Sequence, residues 1–273
     1  MLTAVAVTNS RGDTLTLPLG DTSNGYAVRD VEGLDPVNAT LTTSSLAQQD
    51  GAQPQNARRD TRNITMKLGF VPDWVVNDVR SLRSALYDYL MPKANVKMGF
   101  YYDGSLFALA DGQVESFENT AFSADPEVDI SVICYNPDFY GPDVVSLSGD
   151  SDPDPVPYTV SYAGTSDAGV IFTLNIDRAL SEFTISNTAP DGTFQKMTVD
   201  GAFVSGDVVK IVTVPGSKAV TLTRSAVTTS ALTGLASTSS WISLKKGDNL
   251  FKVMASGAAI PFTMDYTPQY GGL

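Results

Sequence analysis

The side chains that could do chemistry in this sequence are mostly carboxylates, because histidine is absent and cysteine occurs once, at Cys134. Those two facts remove Ser-His-Asp and Cys-His catalysis, histidine-ligated zinc and the commonest general base. An enzyme built from this chain would work with carboxylates, tyrosines or lysines. Glycoside hydrolysis needs two acids held about 5–10 Å apart across a cleft. The glutamates are scattered along the chain and form no cluster. Asp150, Asp152 and Asp154 alternate like the first ligands of a calcium loop, but the glycine and distal glutamate that complete such a loop are missing. A solvated stretch is the reading these aspartates favour.

Binding residues are few. Arg58, Arg59 and Arg62 form the densest cation cluster in an acidic first half. Arginine pairs bidentately with carboxylates at protein interfaces, so the three are candidates for contacts between copies of the chain; a solvated loop is the other reading. Trp241, Tyr158 and Tyr162 are the aromatic candidates for a sugar platform, against a plain core or rim role. Trp241 opens SWISLKKGDNLFKV (240–253), where alternating apolar positions flank Lys-Lys-Gly-Asp-Asn. That pattern predicts strand, turn, strand, with a sugar-contacting loop as the alternative. Arg11-Gly12-Asp13 sits where a turn is wanted. The sequons at Asn38 and Asn63 carry little weight, since MLTAVAVTNSRGD has neither a basic start nor a long apolar run and cytoplasmic synthesis is expected.

The elements that position these residues read as mainly β. At 273 residues and 42% hydrophobic, the chain has enough apolar content for one large or two ordinary packed domains. The net charge of −12 opposes sequence-independent nucleic-acid binding and an acidic membrane surface, and no run approaches the length of a transmembrane helix. LTAVAVTNSRGDTLTLPLG predicts a strand pair turning at Asn9–Gly12. One helix is predicted over about 73–90, from Val75, Val76, Val79, Leu82, Leu86 and Leu90 at helical spacing, with Pro92 as its stop. A hairpin turning at Asp103-Gly104 follows. Cys134 shares one face of VDISVICYN with Val128, Ile130 and Val132, which predicts a buried, inert thiol. The expected organisation is an N-terminal β-domain with one helix at 1–145, an acidic Pro-rich linker at 146–157, and an antiparallel β-sandwich at 158–273.

Taken in order, YAVRDVEGLDP (26–36), RRDTRNITMKLGFV (58–71), the VRSLRSALYDYL helix, VDISVICYNPDFYG, GDVVKIVTVPGSKAVTL, SSWISLKKGDNLFKV and a DYTPQYGGL end resemble one family over nearly the whole chain. That family is the distal tail proteins of long-tailed bacteriophages and related gene transfer agents. The resemblance implies a structural virion protein without catalysis or cofactor. It implies a homo-oligomer, typically a hexameric ring, at the far end of the tail. The ring joins the tail tube above to the tail-associated hub protein below, and the genome passes through its lumen. The first domain would make the ring. The second would be a galectin-like sandwich that in some relatives anchors receptor-binding or other baseplate proteins. Closed rings need two different adhesive patches per protomer, and Arg58, Arg59, Arg62, Tyr101 and Tyr102 are the candidates in the first half. A carbohydrate-binding sandwich that aids host attachment is the alternative reading.

Overall fold

The computed structural model describes residues 1–45, 50–120 and 125–273. The chain divides into two compact units, Met1–Pro142 with Tyr270–Leu273, and Asp143–Gln269. In the first unit the elements are β1 (Leu2–Thr8), β2 (Thr14–Pro18), β3 (Tyr26–Glu32), β4 (Ala39–Ser44), β5 (Gln53–Arg59), β6 (Arg62–Phe70), α1 (Val79–Leu90), β7 (Asn95–Tyr102), β8 (Ser105–Asn119), β9 (Glu127–Cys134) and β10 (Phe139–Tyr140). The main sheet runs β2-β1-β7-β8-β9-β6-β3, antiparallel throughout, with β10 on β8. Period-two alternation fills one face: Ile64, Met66 and Leu68 of β6 and Val128, Ile130 and Val132 of β9 are buried, as is Cys134. Leu82, Leu86 and Leu90 of α1 join the same core. The Tyr26 hydroxyl donates to the Leu82 carbonyl at 2.8 Å.

The helix begins later than its apolar spacing suggests. Asp78 caps it: its carboxylate accepts from the Ser81 N–H at 2.7 Å, while Ser81 Oγ accepts from the Asp78 N–H at 3.1 Å. Asp73 closes a separate turn, taking the Val75 N–H on its side chain and the Val76 N–H on its carbonyl. Trp74, Val75 and Val76 therefore lie outside the helix and face solvent. The β7–β8 hairpin turns where expected, with Asp103 at φ 48° and Gly104 at φ 82°, the left-handed pair of a type I′ turn.

In the second unit the strands are β11 (Val145–Asp150), β12 (Tyr158–Tyr162), β13 (Ala168–Asn175), β14 (Leu180–Thr188), β15 (Phe194–Phe203), β16 (Val208–Val212), β17 (Ala219–Arg224), β18 (Val227–Ser230), β19 (Ser243–Leu244), β20 (Gly247–Ala255), β21 (Pro261–Tyr266) and β22 (Gln269–Tyr270), the last of which straddles the boundary. They form two antiparallel sheets, β11-β21-β13-β16-β17-β18 with β19 on β13, and β12-β20-β14-β15. Phe172 and Phe262 from the first sheet meet Phe183 and Phe251 from the second at centroid distances of 6.1–6.5 Å. This is the β-sandwich expected from the sequence.

Two expectations fail in detail. The stretch expected as a linker at 146–157 begins as a strand: β11 pairs with β21 along its whole length, and Ser151 behind it is buried and bonded to Ile260 in both directions. The prolines that suggested a linker lie after that strand, at 153, 155 and 157. The 240–253 stretch is not a hairpin either. Its two runs join different sheets, β19 on β13 and β20 between β12 and β14. Lys245 and Lys246 carry the chain from one sheet to the other, and buried Asn249 holds the corner, donating to the carbonyls of Lys245 and Gly247 and accepting from the Lys245 N–H. Alternation alone cannot say whether two adjacent strands pair with each other.

The β17–β18 turn places Ser225 at φ 50° and Ala226 at φ 65°, a type I′ geometry with no glycine or asparagine to relieve it. Replacing the pair, Ser225→Asn with Ala226→Gly, is expected to stabilise the second unit by about 0.5–1 kcal/mol in denaturant unfolding. An unchanged or lowered midpoint would show that the turn is not strained.

Candidate interaction surface

The most open element of the first unit is a two-stranded arm. Strands β4 and β5 pair only with each other among the described residues, from Ala39↔Arg59 to Ser44↔Gln53, and nearly every side chain on both faces is exposed. Its composition explains this, for ATLTTS and QPQNARR hold almost nothing to bury. Leu41 is the exception, and it is 69% exposed. An isolated hairpin is marginal in water, and its two outer edges carry unpaired backbone donors and acceptors. Such an element persists by being anchored at its root or covered by another chain.

The root is anchored with care. The Asp60 N–H donates to the Asn38 carbonyl and the Thr40 hydroxyl donates to the Asp60 carboxylate. Arg59, at the end of β5, pairs bidentately with Asp138, one bond at 2.6 Å. Arg62, three residues on, is 1% exposed. Its guanidinium donates to four backbone carbonyls: Pro137 at 2.9 Å, Asp35 at 2.8 Å, Gly271 at 2.6 Å, and Gly33. It also lies over the Phe139 ring, 4.0 Å from the centroid. Gly33 is at φ 84°, and a Cβ there would stand 2.0 Å from the Asn63 carbonyl oxygen, so only glycine fits where the residue 33 carbonyl reaches Arg62. Burial pulls the Arg62 pKa below its ordinary value, yet a guanidinium stays charged across the accessible range. The same burial pushes the neighbouring Cys134 thiol up to about 11.

The arginine cluster therefore separates into three roles. Arg58 is surface-exposed on the arm, with a 3.5 Å contact to Asp60. Arg59 clamps the arm root. Arg62 is interior, its donors engaged within the unit, and does not present a surface to a neighbour. The sequence groups the three by their density in an acidic first half, and local pattern gives no sign of Asp138, Gly33 and Gly271 as partners. Tyr101 and Tyr102 keep part of their rings at the surface on β7, Tyr102 packing edge-on against Phe107 at 5.5 Å.

The aromatic trio in the second unit makes no open platform. Tyr162 is 2% exposed, with its hydroxyl donating to the Ser166 carbonyl. The Tyr158 hydroxyl is bonded to the backbone of Asp150 and its ring packs edge-on against Phe262. Trp241 is half-buried against the core under Lys218, 5.3 Å from the ring centroid. Among the described residues no group of three or more acidic or cysteine side chains is placed to hold a metal ion, and no helix is long and apolar enough to cross a membrane.

Residues 163–270 match the family model of the siphovirus-type tail component, C-terminal domain. The Dit protein (gp 19.1) of phage SPP1, described as a paradigm of the hub adsorption apparatus in phages infecting Gram-positive bacteria, has a similar structure. It aligns at 15% identity over 97% of this chain and 98% of that chain, with a TM-score of 0.67. A chain of the phage P2 baseplate in its activated conformation with Ca aligns at 9% identity over 100% of both chains, with a TM-score of 0.48. A sequence search of curated proteins gave no match. The resemblance read from the sequence thus meets a family match over residues 163–270 and, over nearly the whole chain, a shared fold: a mainly β chain with the architecture of a Dit protein.

Arg62→Met, which keeps bulk but removes the donors that Arg62 gives to four carbonyls, is expected to destabilise the first unit by about 3 kcal/mol or more. Cys134, paired with Arg62 across β6 and β9, supplies the readout. In the native protein at pH 8 its thiol is protonated and buried, so alkylation should be slow; in denaturant it should match a free thiol. Rapid labelling of the native chain would contradict the burial, and an unchanged unfolding midpoint in the variant would contradict the role of Arg62.

Proposed function

We propose that this chain is a structural, non-enzymatic component of a phage-type tail, at the distal end, where copies associate into a ring, hexameric by resemblance, that joins the tail tube to the hub and leaves a lumen for DNA. The observation that carries the reading is agreement over almost the full chain with the fold of a Dit protein, together with the match of residues 163–270 to a tail-component family. The arm supports self-association. Its strands are short of neighbours, and a third strand or a covering surface from another copy would satisfy both its open edges. Arg58 and Leu41 on the arm, with Tyr101 and Tyr102 on β7, are the residues we assign to contacts between copies. The acidic balance suits a conduit that does not retain nucleic acid, because charges within about 8 Å of the path repel phosphate. Tail-tube and hub proteins are the partners above and below, with receptor-binding or other baseplate proteins on the sandwich, in a virion assembled in a host cytoplasm.

The rival reading, a carbohydrate-binding sandwich, has less to stand on, since Tyr162, Tyr158 and Trp241 are engaged in or against the core.

Purified protein should sediment and scatter light as a closed oligomer, and negative-stain images should show annular particles with a central hole. Leu41→Asp with Arg58→Glu should lower the mass to smaller species without changing the unfolding midpoint. A chain that stays monomeric at high concentration, alone and with tube and hub proteins, overturns the ring. A double variant with the wild-type mass overturns the arm's part in it.

A further inference from the structure

The four residues Tyr270–Leu273 belong to the first unit although the whole second unit intervenes between them and Pro142. The handover is abrupt. Gln269 is still tied within the second unit, its N–H donating to the Tyr162 hydroxyl at 2.8 Å and its carbonyl accepting from Thr165 and Ser166. One residue later the Tyr270 ring packs on Phe107 at 4.9 Å. The Gly271 carbonyl accepts from Arg62, and the Leu273 N–H donates to the Leu34 carbonyl at 3.0 Å. Gly272 lies flat on Pro36, where a Cβ would come within 2.7 Å of the proline Cδ and 3.0 Å of its nitrogen.

What this segment touches decides what it does. Leu34–Pro36 is the stretch that leads into the arm, and Arg62 lies just past the arm's end. The same guanidinium that holds Gly271 holds Gly33 and Asp35. The segment therefore packs on both ends of the arm root. We propose that Tyr270–Leu273 is a latch: a separable ligand of the seat formed by Leu34, Pro36, Arg62 and Phe107, whose docking orders the root of the β4–β5 arm and so couples the chain beyond the second unit to the arm's readiness to engage another copy. The last clause rests on the self-association reading; the latch itself does not.

With the segment withdrawn, Arg62 loses an acceptor, the Leu34 carbonyl loses its donor and Pro36 is uncovered. The sheet keeps its own ladders. The test is hydrogen exchange on the wild-type chain, on a chain ending at Gln269 and on the full-length Gly272→Ala variant, with the peptide of residues 267–273 and a scrambled peptide added in trans. Exchange at residues 34–39 and 58–62 should rise about tenfold or more in both variants, while amides of α1 and β7 stay as in the wild type. The 267–273 peptide should restore protection to the shortened chain saturably, and the scrambled peptide should not. Unchanged exchange at the root in both variants overturns the latch. So does loss of protection in α1 and β7 in both, which would make the segment an ordinary part of the core, and so does failure of the peptide to restore a shortened chain that has kept its α1 protection. Because exchange is read whether or not copies associate, a monomeric wild-type protein would sink the ring reading and leave the latch standing.

Discussion

A buried guanidinium must find an acceptor for nearly every N–H, because each unmet donor inside a protein costs on the order of 1–3 kcal/mol. In the first unit that demand organises the fold around Arg62. Its acceptors are main-chain carbonyls, so the requirement falls on where the backbone runs rather than on which side chains it carries. The turn after β3, the Asn136–Phe139 loop and the returning segment at Gly271 must all reach one point. The Phe139 ring closes the face of the guanidinium that no carbonyl covers. The Arg59–Asp138 pair repeats the device beside it in charged form, tying the same loop to the arm. The first unit thus has an apolar core between α1 and its sheet, and a polar node at the arm root that the core could not supply.

That division of labour accounts for an arm of such unpromising composition. Threonines, glutamines and asparagines give β4 and β5 no buried face, so the ribbon draws no stability from its own side chains. Its order comes from the node at one end and from whatever covers it elsewhere. An element with a fixed base and open edges has a direction in which another strand can add to it. The exposed turn at Trp74–Val76 is the opposite case, three large apolar side chains held out by the Asp73 and Asp78 caps on either side.

The strands of both units were legible because period-two alternation and turn residues report the local backbone, and burial then follows. The helix was legible as an element but not at its start, since Val75 and Val76 fit the spacing while the Asp78–Ser81 cap, a backbone matter, set the boundary. The corner at Lys245–Asn249 was misread because a strand's pattern does not name its partner. Arg62 was the largest miss. Its acceptors lie 27 to 209 residues away along the chain, and no local pattern distinguishes an arginine that reaches inward from one that faces water. Yet four of the segments that carry the family resemblance, VEGLDP, RRDTR, NPDFYG and YGGL, converge on this residue.

Strands β10 and β22 pair with each other, so the chain leaves the first unit and comes back to it at adjoining points. A module spliced in between neighbouring ends can be lengthened, shortened or exchanged for another whose own termini lie close together, with no change in the frame that receives it.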